Sequence, residues 1–203
     1  MGYALLPTDF EEKAVFLNAT YQLTDRFYLG AGVRHSSSDQ SFVQVSSGVL
    51  LLPTAPPGTV TEAPSRSSEE VTDYMISPRF QLNEDVMIYA RLSTGFRPGG
   101  PNTVFPGVPP EFEADSTTNY ELGVKTEFLA GRGLFNVALF HIDWDDIQTT
   151  ATERVSGISY TDNLGAARSR GVETEFALRV IEGLTLGLSG TYTDAIATEG
   201  AAL

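Results

Sequence analysis

The stretch Tyr89 to Asn102, YARLSTGFRPGGPN, decides the fold: an alternating run ends abruptly in Arg-Pro-Gly-Gly-Pro-Asn. Ala90, Leu92, Thr94 and Phe96 share one parity, and Arg91, Ser93, Gly95 and Arg97 share the other. Period two with apolar residues on one side is the signature of a strand with one apolar face. Such a strand belongs either to a soluble sheet or to a sheet that crosses a membrane and opens into a loop. The rest of the chain separates the two.

Composition narrows the field. Hydrophobic residues make up 41% of the 203, yet the longest purely aliphatic run is Val49 to Leu52. A membrane-spanning helix needs roughly 18 or more apolar residues in a row, so a helical membrane protein is excluded. Thirteen basic residues against 26 acidic ones give a net charge of −13, which argues against a nucleic-acid partner, since those sites need clustered Lys and Arg. There is no Cys, so disulfides, thiolate metal sites and Cys nucleophiles are removed. The opening MGYALLPTDFEEK carries no basic segment followed by an apolar core and a small-residue cleavage site. An exported protein of this sequence is therefore expected to be an excerpt of something longer.

The repeated unit is a hairpin. Four tight turns, Leu23 to Arg26, Asn83 to Asp85, Ala130 to Gly133 and Ile181 to Gly183, each join two alternating runs, as hairpin connections of two to four residues do. Much longer connections lie between them: Ser46 to Ser68, Pro98 to Ala114, and about Ala151 to Asn163. Nine of the eleven prolines fall in the first two of these. Consecutive strands run up and down, so all tight turns lie at one end of the sheet and all long loops at the other. Short periplasmic turns opposite long outer loops is how transmembrane barrels are built.

The faces agree. Val15, Leu17, Ala19 and Tyr21 oppose Asn18, Thr20 and Gln22; Tyr120, Leu122, Val124 and Phe128 oppose Glu121, Lys125 and Glu127; Val172, Phe176, Leu178 and Val180 oppose Glu173, Glu175 and Arg179. A charged face behind an apolar one, repeated over about eight strands, is lipid outside and water inside. Arg91, Glu121, Lys125, Glu127, Glu173, Glu175 and Arg179 then face the lumen. Aromatic residues form two belts, with Tyr21, Phe27, Phe80 and Phe128 near the turns and Tyr74, Phe96, Tyr120 and Tyr192 about nine to eleven residues away, near the length of a tilted crossing strand. Two places fit badly. Pro78 interrupts the run Tyr74 to Leu82, and Leu134 to Trp144 (LFNVALFHIDW) is apolar on both parities, which suggests a bulge or a packed interior.

Three stretches, YARLSTGFRPGGPN, NYELGVKTEFLAGRGLFNVALFHIDWDDIQ (Asn119 to Gln148) and SRGVETEFALRVIEGLTLGLSGTYTDA (Ser169 to Ala195), resemble consecutive strand pairs of TonB-dependent outer-membrane receptors of the siderophore type. The resemblance runs from about Val15 to Ala195, and it rests on order and spacing more than on any one motif. It implies an all-β, antiparallel up-and-down meander over residues 1–203, about eight strands of a larger transmembrane barrel of about 22 strands. The family's plug domain, which closes the lumen, has no counterpart in these residues. The implied protein is a fragment of an active-transport receptor in the outer membrane of a Gram-negative bacterium. Its implied partners are outer-membrane lipid, a small-molecule ligand such as a ferric siderophore, and an inner-membrane energy-transducing complex reached through the plug. No cofactor is implied.

Ligand contacts are expected in the long loops and at their bases, with Arg97 and Asn102 as candidates, because loops carry specificity. The competing reading is that Arg97-Pro98-Gly99-Gly100 only forms the strand exit. A complete eight-stranded barrel would be filled by its own side chains and would need matched first and last strands, whereas the alternating runs here exceed the 9 to 11 residues needed to cross. A soluble sandwich that binds carbohydrate has the same period two. An enzyme would have to use His35 or His141. His141 has Asp143 two residues on, but no nucleophile elbow accompanies them, and Asp143-Trp144-Asp145-Asp146 lacks calcium-loop spacing.

Overall fold

The computed structural model describes residues 3–47 and 59–199. The part of the first long loop that holds Pro53, Pro56 and Pro57 lies outside them. Eleven strands follow in order: β1 (Tyr3–Leu5), β2 (Thr8–Gln22), β3 (Phe27–Ser47), β4 (Val60–Asn83), β5 (Val86–Arg97), β6 (Gly100–Pro101), β7 (Glu111–Phe112), β8 (Asp115–Phe128), β9 (Gly133–Thr152), β10 (Ser159–Ile181) and β11 (Leu184–Glu199). β6 and β7 form a small ribbon inside the loop that follows β5. The others make one antiparallel sheet in which every long strand pairs with its neighbour in sequence. β1 continues the line of β2 along the far end of β3, so the sheet is eight strands wide.

All four tight turns fall where the sequence places them. The connection from Pro98 to Ala114 keeps its expected bounds, and the other two are shorter than expected because the strands run on: β3, β4, β9 and β10 have 21, 24, 20 and 23 residues, about twice what a crossing needs. The outer halves of these strands are in excess of the length of a crossing.

Register turns the separate apolar faces into one surface. Tyr21 pairs with Leu29 and Leu29 with Pro78. Ala90 pairs with Leu122, Leu122 with Leu139, Leu139 with Val172, and Val172 with Tyr192. Pro78 and Ala90 adjoin across β4 and β5, so this row is apolar in every strand. Phe42, 7% exposed, is the one buried hydrophobic side chain among the described residues, while Leu17, Leu188 and Tyr192 are 68%, 74% and 69% exposed. A soluble sheet of this size would hide these side chains against a second layer. Here they form a band for hydrocarbon, which requires every backbone group at that depth to be satisfied within the sheet.

Both misfits have physical resolutions. β4 continues through Pro78, which stays in register with Leu29 of β3. The missing donor shows on the other side, where the β4–β5 ladder is interrupted between Ile76↔Leu92 and Arg79↔Tyr89. Leu134 to Trp144 pairs without irregularity on both sides. Its parity is therefore fixed by its neighbours: Phe135, Val137 and Leu139 share the lipid face with Thr126, Val124 and Leu122, and Leu134, Ala138, Phe140 and Ile142 face the lumen. The bulge lies just beyond, at the register shift after Trp144, where Asp146 has φ 55°.

On the lumen face the Tyr89 ring lies over Gly123 of the adjacent strand, and a Cβ at Gly123 would overlap the ring. Gly123→Ala is expected to cost about 1–3 kcal/mol through overpacking. Urea unfolding in lipid vesicles checks this, and a variant as stable as the parent would show that the ring does not rest there.

Candidate ligand-facing mouth and its clasped loop

β5 ends at Arg97 because Pro98 cannot donate to a ladder. The chain then turns inward across the lumen side of the outer sheet and returns to β8 at Asp115. Gly99 allows the two ends of this loop to come together, since a Cβ there would overlap the Phe112 carbonyl. Side chains from four strands hold the loop by its backbone. Glu69 of β4 accepts the Gly99 N–H at 2.9 Å on one carboxylate oxygen and the Ala114 N–H at 2.8 Å on the other. Gln44 of β3 accepts the Val104 N–H at 2.9 Å and donates to the Val104 carbonyl at 3.3 Å. Asn163 of β10 accepts the Glu113 N–H at 2.8 Å and donates to the Glu113 carbonyl at 2.9 Å. Gln148 of β9 donates to the carbonyls of Arg97, Pro98 and Glu113 at 3.2, 2.9 and 3.1 Å. An amide that accepts from and donates to one residue stands in for a strand neighbour, so the loop is ordered without a ladder of its own.

Arg97 and Asn102, the candidates from sequence, both belong to this assembly. Arg97 forms an ion pair with Asp115, whose side chain is 3% exposed, while the guanidinium remains 52% exposed. Arg97 also lies 5.8 Å from the centroid of the Trp144 ring. Asn102, 4% exposed, donates to the Thr161 carbonyl at 2.7 Å, accepts the Thr161 N–H at 2.9 Å, and its own N–H reaches the Pro110 carbonyl at 2.9 Å. The structure thus brings both residues to the first part of one loop, Arg97 at its entry and Asn102 five residues on, both committed to holding it. Sequence reasoning missed Glu69, Gln44, Gln148 and Asn163. Their partners lie 30 to 60 residues away, and only the pairing of strands could have found them.

Above the loop a cavity of about 360 Å³ opens between Phe42, Pro101, Asn102, Phe112, Thr150 and Tyr160. At the outermost turn Glu153 accepts the Ser156 hydroxyl and N–H, each at 2.6 Å, and the Val155 N–H at 3.0 Å. The hydroxyl bond first, then the backbone bonds, hold the Glu153 carboxyl below its ordinary pKa. The turn is therefore tied at neutral pH and loosens as pH falls through that lowered value.

Charge is distributed unevenly along the barrel axis. Beyond the last outward apolar residues, Val15, Val33, Tyr74, Phe96, Tyr120, Leu139, Val172 and Tyr192, lie 7 of the 13 basic and 18 of the 26 acidic residues, a net −11 of the chain's −13. The outer part is strongly acidic and the crossing part nearly balanced. The histidines form no catalytic set: His35 meets Thr72 at 3.0 Å and His141 meets Asp143 at 3.0 Å, with Tyr120 edge-on. Among the described residues no group of three or more His, Asp or Glu is placed to hold a metal ion.

Comparison with known proteins agrees with this architecture. The family model described as TonB dependent receptor-like, beta-barrel matches residues 5–202. The pesticin receptor of Yersinia enterocolitica is 30% identical over 185 residues, which is 90% of this chain and 26% of that protein. The metal-pseudopaline receptor CntO of Pseudomonas aeruginosa is 29% identical over 142 residues, 70% of this chain and 19% of that protein. The crystal structure of the ferric yersiniabactin uptake receptor FyuA from Yersinia pestis superimposes with a TM-score of 0.78 at 25% identity, covering 98% of this chain and 29% of that one. The ferric-catecholate import receptor Fiu from Escherichia coli K12 has the same fold, with a TM-score of 0.76 at 17% identity over 96% of this chain and 29% of that one. The chain spans about a quarter of the length of the relatives it matches, and those relatives are receptors and transporters rather than enzymes. An open eight-strand meander, an unbroken lipid-facing band and a clasped inward loop thus meet in a chain that belongs to the TonB-dependent receptors, within their β-barrel.

Proposed function

We propose that these residues form an eight-strand sector of the barrel wall of an active importer in the outer membrane of a Gram-negative bacterium. The cargo is a scarce metal held in a small-molecule chelate, such as a ferric siderophore. Energy comes from an inner-membrane complex that acts through a plug domain. The observation that carries this reading is the loop between β5 and β8. An outer loop fixed inside the mouth by side chains from β3, β4, β9 and β10 stands in the way of whatever enters. In this reading the half-exposed Arg97 guanidinium contacts the ligand, and the buried Asn102 acts through the shape it gives the loop.

The test replaces residues 98–114 with a short Gly-Ser linker in the full-length receptor. Uptake of radiolabelled iron added to spent medium from iron-starved cells of the source organism is then measured. Uptake is expected to fall about tenfold or more, with the amount and heat-modifiability of the protein in the outer membrane unchanged. Undiminished uptake would overturn the reading.

A complete eight-stranded barrel with a structural or adhesive role would need β2 and β11 to pair. Among the described residues β2 pairs with β3 and β11 with β10, which favours the larger barrel.

A further inference from the structure

The crossing part of the lumen wall holds a cluster that the mouth does not use. Arg79 of β4 is paired in register with Tyr89 of β5, and Met87 of β5 with Lys125 of β8. With Arg91, Met75 and Ser77 these residues enclose a pocket of about 260 Å³ that opens to the lumen. Three cations therefore line one small cavity. Glu121 is the carboxylate beside them, and it is already engaged: the Tyr89 hydroxyl donates to one oxygen at 2.5 Å, and Arg91 lies 3.8 Å from the other. Arg79 and Lys125 have only aromatic faces for company. The Arg79 guanidinium lies 5.9 Å from the Tyr28 ring centroid, and the Lys125 ammonium 5.6 Å from that of Tyr89. Neither makes an ion pair among the described residues.

Both cations stand inside a barrel wall whose crossing part carries little net charge, so no surplus of acid surrounds them. A cation over an exposed aromatic face gains less than a charge-assisted hydrogen bond supplies. Lys and Arg also differ in what they offer: Arg presents a planar fork that suits a carboxylate, and Lys a compact point charge with three donors. Reaching the same cavity from β4 and β8, they can close on one anionic group from two directions.

We propose that Arg79, Arg91 and Lys125 form a carboxylate-accepting station on the lumen wall, with Arg79 and Lys125 as its free arms. The carboxylate comes either from an acidic side chain of polypeptide that occupies the lumen or from an acidic solute that passes through it. The station is independent of which chelate the mouth admits.

Zero-length carbodiimide coupling tests this in the full-length receptor in native outer membranes. An activated carboxyl carbon joins the lysine Nζ as an amide, and the reagent leaves as its urea, so Lys125 couples only to an acid already beside it. Mass spectrometry is expected to find Lys125 joined to an Asp or Glu outside residues 3–199, which identifies a polypeptide source. If Lys125 instead couples saturably to added citrate, and that coupling falls about tenfold in Arg79→Gln, the source is a solute and the station stands. Coupling only to Glu121, Glu127 or Glu173 would overturn the proposal. So would citrate coupling that neither saturates nor responds to Arg79→Gln. Iron uptake in the same preparations reports on the importer reading separately.

Discussion

Leu122→Arg is expected to destabilise the barrel by about 1–3 kcal/mol, the cost of a cation on the lipid face between the bilayer midplane, where it reaches about 2–4 kcal/mol, and the interface, where it falls to about 0–1 kcal/mol. Leu122 lies in the row that is apolar in every strand, between Ala90 and Leu139 and with Tyr120 and Val124 on either side along β8. It is 57% exposed, so in the membrane lipid covers it. An arginine there has no acidic side chain paired with it on the same face, and the outer belt at Tyr120 is the next residue on that face of β8. The matched control is Ser93→Arg, one residue along β5 from Leu92 and on the opposite, lumen face, between Met75 and Asn119. Water and mixed charge line that side, and the change is expected to stay within about 0.5 kcal/mol. Urea-driven unfolding in lipid vesicles gives both numbers. Equal costs for the two substitutions would mean that the two faces do not differ in what covers them, and a costlier Ser93→Arg that they have been assigned the wrong way round.

The faces were legible because they are local. Period two needs only the next few residues, and turn chemistry such as Asn83-Glu84-Asp85 or Glu182-Gly183 needs only four. Strand ends were less legible. Ser46 to Ser68, with Pro64 and its serines, reads as loop, yet β3 runs on to Ser47 and β4 begins at Val60, paired from Val43↔Pro64 to Ser47↔Val60. Proline and serine weaken a strand, but β4 is paired on one side only over this stretch, where a missing donor is tolerated. The pairing of β3 with β4 along its whole length supplies what local propensity lacks. Leu134 to Trp144 shows the same limit from the other direction, because a stretch apolar on both sides gives no parity. Its neighbours in register, Val124 and Glu121 among them, decide which side faces lipid. At the mouth, Arg97 could be found from its position at a strand exit. Glu69 could not, because nothing near it in sequence announces that two amides from distant ends of a loop will converge on its carboxylate.

That convergence makes Glu69→Ala the second substitution with a large expected effect. One carboxylate ties the first and last turns of the 98–114 loop to β4, accepting the Gly99 N–H and the Ala114 N–H on separate oxygens. Each bond to a charged acceptor is worth about 1.5–3 kcal/mol, and alanine would leave both amides without a protein partner. Gln44 still holds the middle, and Gln148 and Asn163 still grip the base at Arg97, Pro98 and Glu113, so the loop should loosen locally at Gly99 and Ala114 rather than unfold the barrel. Amide hydrogen exchange in the full-length receptor should therefore accelerate about ten- to a hundredfold at Gly99 and Ala114, while β4 and β8 amides in the crossing part keep their protection. Glu69→Gln retains one acceptor oxygen of the two and should fall between, protecting one amide and releasing the other. If exchange at both amides is unchanged in Glu69→Ala, the base of the loop is held by Gln148, Asn163 and the Arg97–Asp115 pair, and Glu69 is an ordinary surface acid. If β4 loosens as well, Glu69 serves the sheet and the loop's order is a consequence of it.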